Sequence, residues 1–198
     1  VREFAVDPAR LEIVEPGTEP PPVAATRRDP APRPSDAADP HASAAPAPRD
    51  ETLRLLCVAT LVPRTGHDLL LQALASLAPG RRFRLDCYGS TTRDAAHAAA
   101  VAALAARLGL GSAVHLHGEC APAALESAYA AADLFVLPAW YEGYGMAVAE
   151  AVARGLPVVA TAVGAAPRVV GDEAGLLVPP GDLAALTAAL RRVLDEPA

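Results

Sequence analysis

The chain has 198 residues, a formal net charge of −6, 52% hydrophobic residues and only 4% aromatics. An acidic balance gives no electrostatic reason to expect nucleic acid, whose binding normally requires a basic stripe, and no apolar run approaches the roughly 18 to 20 residues that span a bilayer. The core must therefore be assembled from Ala, Val and Leu. The start, "VREFAVDPAR", has no apolar signal-peptide region. The three cysteines, Cys57, Cys87 and Cys120, contain no CxxC pair. That count argues against a disulfide framework or a zinc site and points to a reducing, cytoplasmic setting.

In chain order, residues 1–18 hold "RLEIVEPG", which suits a short strand or an extended tie. Of the 20 prolines, 11 fall in residues 1–50. Residues 19–50 are mostly Pro, Ala, Arg and Asp, too poor in large apolar groups to offset their ordering entropy, and are expected to form a disordered linker. From Leu53 onward apolar runs alternate with helical patterns. "LRLLCVAT" precedes "HDLLLQALASLA", "FRLDCYG" precedes "DAAHAAAVAALAARLG", and "AVHLHG" precedes "APAALESAYAAA". "DLFVLPA" precedes "GMAVAEAVARG"; "PVVATAV" and "GLLVP" follow, and "DLAALTAALRRVL" closes the pattern. Val101, Leu104 and Leu108 share one helical face, as do Leu183, Leu186, Leu190 and Val193. Gly80, Gly109 and Gly155 stand at helix stops, and Asp182 at an N-cap. The expectation is a single α/β domain over residues 51–198, a doubly wound, parallel, Rossmann-like sheet of about six strands with helices on both faces.

In such sheets ligands bind beyond the carboxyl ends of the strands, at helix N-termini. That directs attention to residues 60–66, 89–92, 118–121, 139–145 and 163–167. Within "PAWYEGYGMAVAEAVARGLPVVAT" two carboxylates, Glu142 and Glu150, bracket Tyr144-Gly145-Met146. Gly145 permits close approach to the backbone, and the free amides of a helix start attract an anion. A diphosphate there would leave a sugar near Glu142 and a ribose near Glu150, where carboxylates can accept bonds from vicinal hydroxyls. Spacing alone leaves a second reading open: Glu150 and Arg154 as an i, i+4 surface pair, and Glu142 as a solvated loop acid. His97 is expected packed or half-exposed on its helix, His115 and His117 at core or boundary positions of one strand face, and His67 in a cap region. Cys57 and Cys87 read as inert small hydrophobes in strands, and Cys120 as the loop thiol to test for reactivity.

The wider text resembles the retaining glycosyltransferases of the GT-B fold (family 4 type), whose signature is E-x7-E. "EGYGMAVAEAVARGLPVVAT" carries that signature. "LVPRTGHDLLLQAL" is similar to the family's phosphate-loop segment, and "AYAAADLFVLPA" to its strand before the signature. "GLLVPPGDLAALTAAL" is similar to its closing strand and helix, and "RLEIVEPGTEP" to the segment between its two domains. The resemblance covers Arg10 to about Thr18 and Leu53 to about Leu194.

It implies a C-terminal donor-binding domain, preceded in residues 1–18 by a remnant of the inter-domain segment. Such a domain binds a nucleotide-diphosphate-sugar as substrate, with neither cofactor nor metal, and acts in glycan or glycolipid synthesis. Glu142 would meet the donor sugar as the catalytic acid residue. Tyr144 and the backbone of Gly145, Met146 and Ala147 would hold the diphosphate, and Glu150 the ribose. Glu119 and Cys120 would lie beside the base, and the loop of Thr60, Arg64, Thr65 and Gly66 beside the phosphates.

Three departures stand out. The resemblance calls for an acceptor domain ahead of this one and for a helix returning to it, and residues 1–198 hold neither, so the chain alone is expected to be inactive, a fragment whose partner would be the missing N-terminal domain. That domain would also supply any peripheral membrane association. Thr60 and Thr65 stand where the family usually places Arg and Lys, with Arg64 as a neighbouring substitute. Gly164-Ala165 and Pro167-Arg168 stand for the usual Gly-Gly and Pro-Glu. These departures keep alive the alternative of an incompetent fragment or non-catalytic nucleotide-sugar-binding module. A nicotinamide enzyme is disfavoured because the first βα turn lacks G-x-G-x-x-G, and a nucleotide-sugar epimerase by the context of the two acids.

Overall fold

A computed structural model describes residues 52–78 and 82–195; the expected inter-domain remnant, the linker at 19–50 and the helix stop at Gly80 lie outside the described residues. Six strands alternate with six helices: β1 (Leu53–Val58), α1 (His67–Leu77), β2 (Phe83–Tyr88), α2 (Ala95–Arg107), β3 (Val114–Gly118), α3 (Pro122–Ala131), β4 (Leu134–Leu137), α4 (Met146–Ala153), β5 (Val158–Thr161), α5 (Ala166–Val170), β6 (Gly175–Val178) and α6 (Leu183–Asp195). Every strand pair is parallel, in the order β3-β2-β1-β4-β5-β6. The doubly wound α/β expectation is therefore met.

The strand sequences explain the layering. "LFVL" in β4 and "VVAT" in β5 are buried at every position, as strands covered on both faces must be. β2 instead alternates, with Phe83, Leu85 and Cys87 buried and Arg84 exposed. Crossovers between parallel strands are right-handed. The chain steps one way from β1 to β3 and the other way from β3 to β6, so α1 and α2 cover one face and α3, α4 and α5 the other. α6 returns to the first face and packs on α1. Leu55, Leu56, Leu70, Leu74, Leu85, Phe135, Leu186 and Leu190 fill the core at 0–1% exposure. Asp182 Oδ1 accepts the Ala185 amide at 2.9 Å, the expected N-cap.

Two elements depart from the sequence reading. A 3-10 turn forms at Pro63–Thr65, and α5 occupies part of "VGAAPRVVG", where the sequence pattern predicts no element. α5 has five residues with Pro in its first turn. That is too short for a 3.6-residue period to show, and its Pro167 is better suited to a helix entry than to a helix interior. Among the described residues no helix is long and apolar enough to cross a membrane.

Candidate functional site

The order of strands reverses between β1 and β4, which pair directly through Leu55↔Leu134 and Leu56↔Phe135. A crevice opens beyond the carboxyl ends of strands at such a reversal. Its two walls are the β1–α1 loop, which holds Thr60, Arg64, Thr65 and Gly66, and the β4–α4 loop, which holds Glu142, Tyr144 and Gly145.

The two walls are joined. The Trp140 amide donates to the Arg64 carbonyl at 2.8 Å, and Arg64 Nη1 donates to the Tyr141 carbonyl at 3.4 Å. Gly66, with φ +71°, lies so close to Pro138 that a Cβ would overlap its carbonyl, so a side chain at this position would force the walls apart. From the opposite side the β5–α5 turn supports the β4–α4 loop. Thr161 Oγ1 donates to the Ala139 carbonyl at 2.6 Å, and the Ala165 amide donates to the Gly143 carbonyl at 3.0 Å. Gly164 (φ +56°) sits directly against the carbonyls of Glu142 and Gly143.

Glu142 is half-buried on this braced loop, and its Oε1 accepts the Gly143 amide at 3.0 Å. Gly145 is buried and forms the N-cap of α4, with Met146 and Ala147 in the first turn. The first amides of a helix have no acceptor within it and face outward along its axis. Tyr144 is half-buried beside them. Trp140, Tyr141 and Met146 are large apolar side chains left exposed around this opening.

Glu150 lies on the second turn of α4. The Tyr129 hydroxyl of α3 donates to Glu150 Oε2 at 3.1 Å and also approaches the Ala147 carbonyl at 3.3 Å. Burial first, then the nearby Glu150 charge, push the Tyr129 phenol upward, so it stays a donor. The i, i+4 ion-pair reading does not hold. Arg154 pairs with Glu126 of α3, lies 4.6 Å from the Tyr129 ring centroid, and reaches only the backbone carbonyl of Glu150, at 2.9 Å. Among the described residues Tyr129 is the hydrogen-bond donor to the Glu150 carboxylate. Sequence reasoning assigned Tyr129 no role; a lone Tyr in the alanine-rich helix before β4 was its only signal.

The loop residues divide by direction. Arg64 is exposed at the crevice, whereas Thr65 is 3% exposed and turns its hydroxyl inward. That hydroxyl lies 2.7 Å from the Val62 carbonyl, 3.0 Å from the Thr60 carbonyl and 3.0 Å from His67 Nδ1. What Thr65 presents to the crevice is therefore backbone. His67, expected as a cap-region residue, is 1% exposed, and its Nε2 lies 3.6 Å from Cys57 Sγ. Cys57 and Cys87 are accordingly not isolated hydrophobes. Their sulfurs and a His67 ring nitrogen lie within 4.8 Å of one another, the one group of metal-ligating side chains of this kind among the described residues. The Cys87 thiol, ahead of the imidazole, draws the Cys57 thiol down against the effect of burial. Burial opposes a charge on His67, but the Cys57 sulfur beside it outweighs that and raises the imidazole pKa.

Glu119 and Cys120 are exposed in the β3–α3 loop. They stand at the same end of the sheet, with no hydrogen bond to the β4–α4 loop among the described residues. His115 and His117 share a strand face as expected. His117 Nε2 meets Asp86 Oδ1 at 2.6 Å, and its ring stacks on Tyr88 with centroids 4.4 Å apart. A groove between α3 and β1–β2, lined by Arg54, Asp86, Tyr88 and Ser127, lies apart from the two acids.

Residues 52–196 match the family described as "Glycosyl transferases group 1". A D-inositol 3-phosphate glycosyltransferase of Kineococcus radiotolerans is 35% identical over 210 aligned residues, covering 98% of this chain and 46% of that protein. Sucrose-phosphate synthase of Thermosynechococcus elongatus superposes with a TM-score of 0.67 at 34% identity, over 74% of this chain and 37% of the other. Anabaena HepE, solved in complex with UDP, gives 0.67 at 25% identity over 73% and 40%. The chain thus spans less than half the length of each of these three relatives.

Proposed function

The chain belongs to the glycosyl transferases group 1 family, and from that premise we propose that it is the donor-binding domain of a retaining glycosyltransferase. Its substrate is a nucleotide-diphosphate-sugar, and the sugar passes to an acceptor hydroxyl in glycan or glycolipid synthesis. The observation that carries this reading is the convergence of the β1–α1 and β4–α4 loops at the sheet reversal, with Glu142 before the start of α4 and Glu150 behind it.

The amides of Gly145, Met146 and Ala147 hold the diphosphate, where free helix-start donors favour negative charge. Glu142 accepts bonds from the donor sugar beside the breaking bond, and Glu150, oriented by Tyr129, accepts them from the ribose. Arg64 is the cation nearest the phosphates in place of the usual lysine, and Glu119 and Cys120 border the base. Transfer breaks the bond between the anomeric carbon and the diphosphate oxygen and forms one to the acceptor oxygen on the same face, with the departing oxygen taking the hydroxyl proton. The protein's share is positioning and stabilisation of developing charge. The bound UDP of the HepE neighbour supports the class of ligand.

Calorimetric titration of the full chain with UDP-, GDP- and ADP-sugars tests the proposal. Binding of one of them, weakened by Glu150→Ala, is expected; a folded chain that binds none contradicts it. A second reading, a nucleotide-sugar-binding module without catalysis, is favoured by the inward hydroxyl of Thr65, which leaves no cation at that position. Turnover on adding an acceptor domain in trans would exclude that reading.

A further inference from the structure

Beneath the β1–α1 loop, three side chains that the donor reading leaves unused converge. The parallel register sets Cys57 of β1 opposite Cys87 of β2, and His67, the first residue of α1, closes over them. The three side chains are 0–1% exposed, and their ligand atoms lie within 4.8 Å of one another.

The ring nitrogens can be told apart. A hydroxyl carries one proton, and the Thr65 hydroxyl has carbonyl acceptors at 2.7 Å (Val62) and 3.0 Å (Thr60). Toward His67 Nδ1 at 3.0 Å its oxygen is thus the acceptor, and Nδ1 carries the hydrogen. A neutral imidazole then has its lone pair on Nε2, the atom that lies 3.6 Å from Cys57 Sγ. Metal-binding histidines have this arrangement, one nitrogen on the metal and the other donating to an oxygen that fixes the ring. Zinc bonds of about 2.3 Å to sulfur and 2.0 Å to nitrogen, at a tetrahedral angle, hold S and N about 3.5 Å apart.

We propose that Cys57, Cys87 and His67 form a closed site for one thiophilic d10 cation, Zn2+ or Cu+, that fastens the β1–α1 loop to the sheet. Two thiolates around Zn2+ leave the buried site without net charge, and three ligands, with no fourth among the described residues, suit Cu+. Binding displaces two protons from the three side chains to solvent and involves no change of oxidation state. The site accounts for Thr65: the residue in the position of the family's lysine turns away from the crevice and braces His67. The inference stands apart from the donor reading, since its test uses metal and no sugar.

The test uses the full chain with Cys120→Ser, so that the two buried thiols are the only ones. The reduced protein is refolded anaerobically with Co2+, Zn2+ or Cu+. One equivalent of Co2+ is expected to produce a thiolate-to-cobalt charge-transfer band that Zn2+ abolishes, and Zn2+ or Cu+ to raise the melting temperature by roughly 5 °C or more. Cys57→Ala, Cys87→Ala and His67→Ala lose the band, and Thr65→Val weakens binding roughly tenfold. A folded C120S chain that takes up none of the three ions overturns the proposal, whether or not the buried-site variants fold. So does binding that persists in folded Cys57→Ala and Cys87→Ala. Which of Zn2+ and Cu+ binds more tightly identifies the cation.

Discussion

Gly164 lies in backbone contact with Glu142: a Cβ on Gly164 would overlap the carbonyl oxygens of Glu142 and Gly143. The β5–α5 turn thus sets the height of the loop that carries the proposed sugar-binding acid. Gly164→Ala must move that loop and place a side chain at φ +56°. The expected result is a folded domain destabilised by about 1–2 kcal/mol, with nucleotide-sugar affinity reduced roughly tenfold or more. Thermal melts and calorimetry on the same sample check both; unchanged affinity would separate the turn from the site.

Tyr129 orients Glu150 from a neighbouring helix. Tyr129→Phe is predicted to lower stability by about 1 kcal/mol and to weaken nucleotide-sugar binding by up to about tenfold. Glu150→Ala removes the acceptor itself and should weaken binding more. Arg154→Ala should act differently. Its head is engaged by Glu126 and the Tyr129 ring, so stability falls and the loss of affinity follows only as Tyr129 loosens. Equal affinity losses in all three variants would not fit.

Asp86 links the sheet surface to pH. Burial opposes its ionisation, but bonds from Arg84 and His117 outweigh that and hold its carboxyl below the usual 3.8. A depressed pKa contributes stability that is complete above the unfolded value and is lost as pH falls through the folded value. Asp86→Asn should therefore cost about 1 kcal/mol near neutral pH. The gap between wild type and variant should close below about pH 4. Urea melts at several pH values measure this, and a gap that stays constant down to about pH 3 contradicts it.

Leu186 is fully buried where α6 packs on α1. Leu186→Ala is predicted to cost about 3 kcal/mol, read as a lower urea midpoint with an unchanged slope. A loss below about 1 kcal/mol would mean that α6 is not part of the cooperative core.

Much of this fold is legible in the sequence because fully apolar runs such as "LFVL" have few alternatives to a buried parallel strand. The placement of Glu142 at the mouth of the sheet follows from the same alternation. α5 was not legible, being shorter than two helical turns and carrying Pro167 in its first turn. Nor was the Cys57–His67–Cys87 group. Its members are 10 and 20 positions apart along the chain, and only the register of β1 on β2 brings the two sulfurs together. A single-residue slip would turn one of them to the other face. The true partner of Arg154 was hidden for a similar reason. Glu150 is the neighbour in sequence, but Glu126 reaches it from another helix.

Amide chemical-shift mapping of the full chain during titration with the nucleotide-sugar that binds tests the central claim most directly. The account predicts the largest shifts at Gly145, Met146 and Ala147, with further shifts in residues 60–66 and at Glu119 and Cys120. Shifts confined to the groove between α3 and β1–β2, with the start of α4 unmoved, would contradict it.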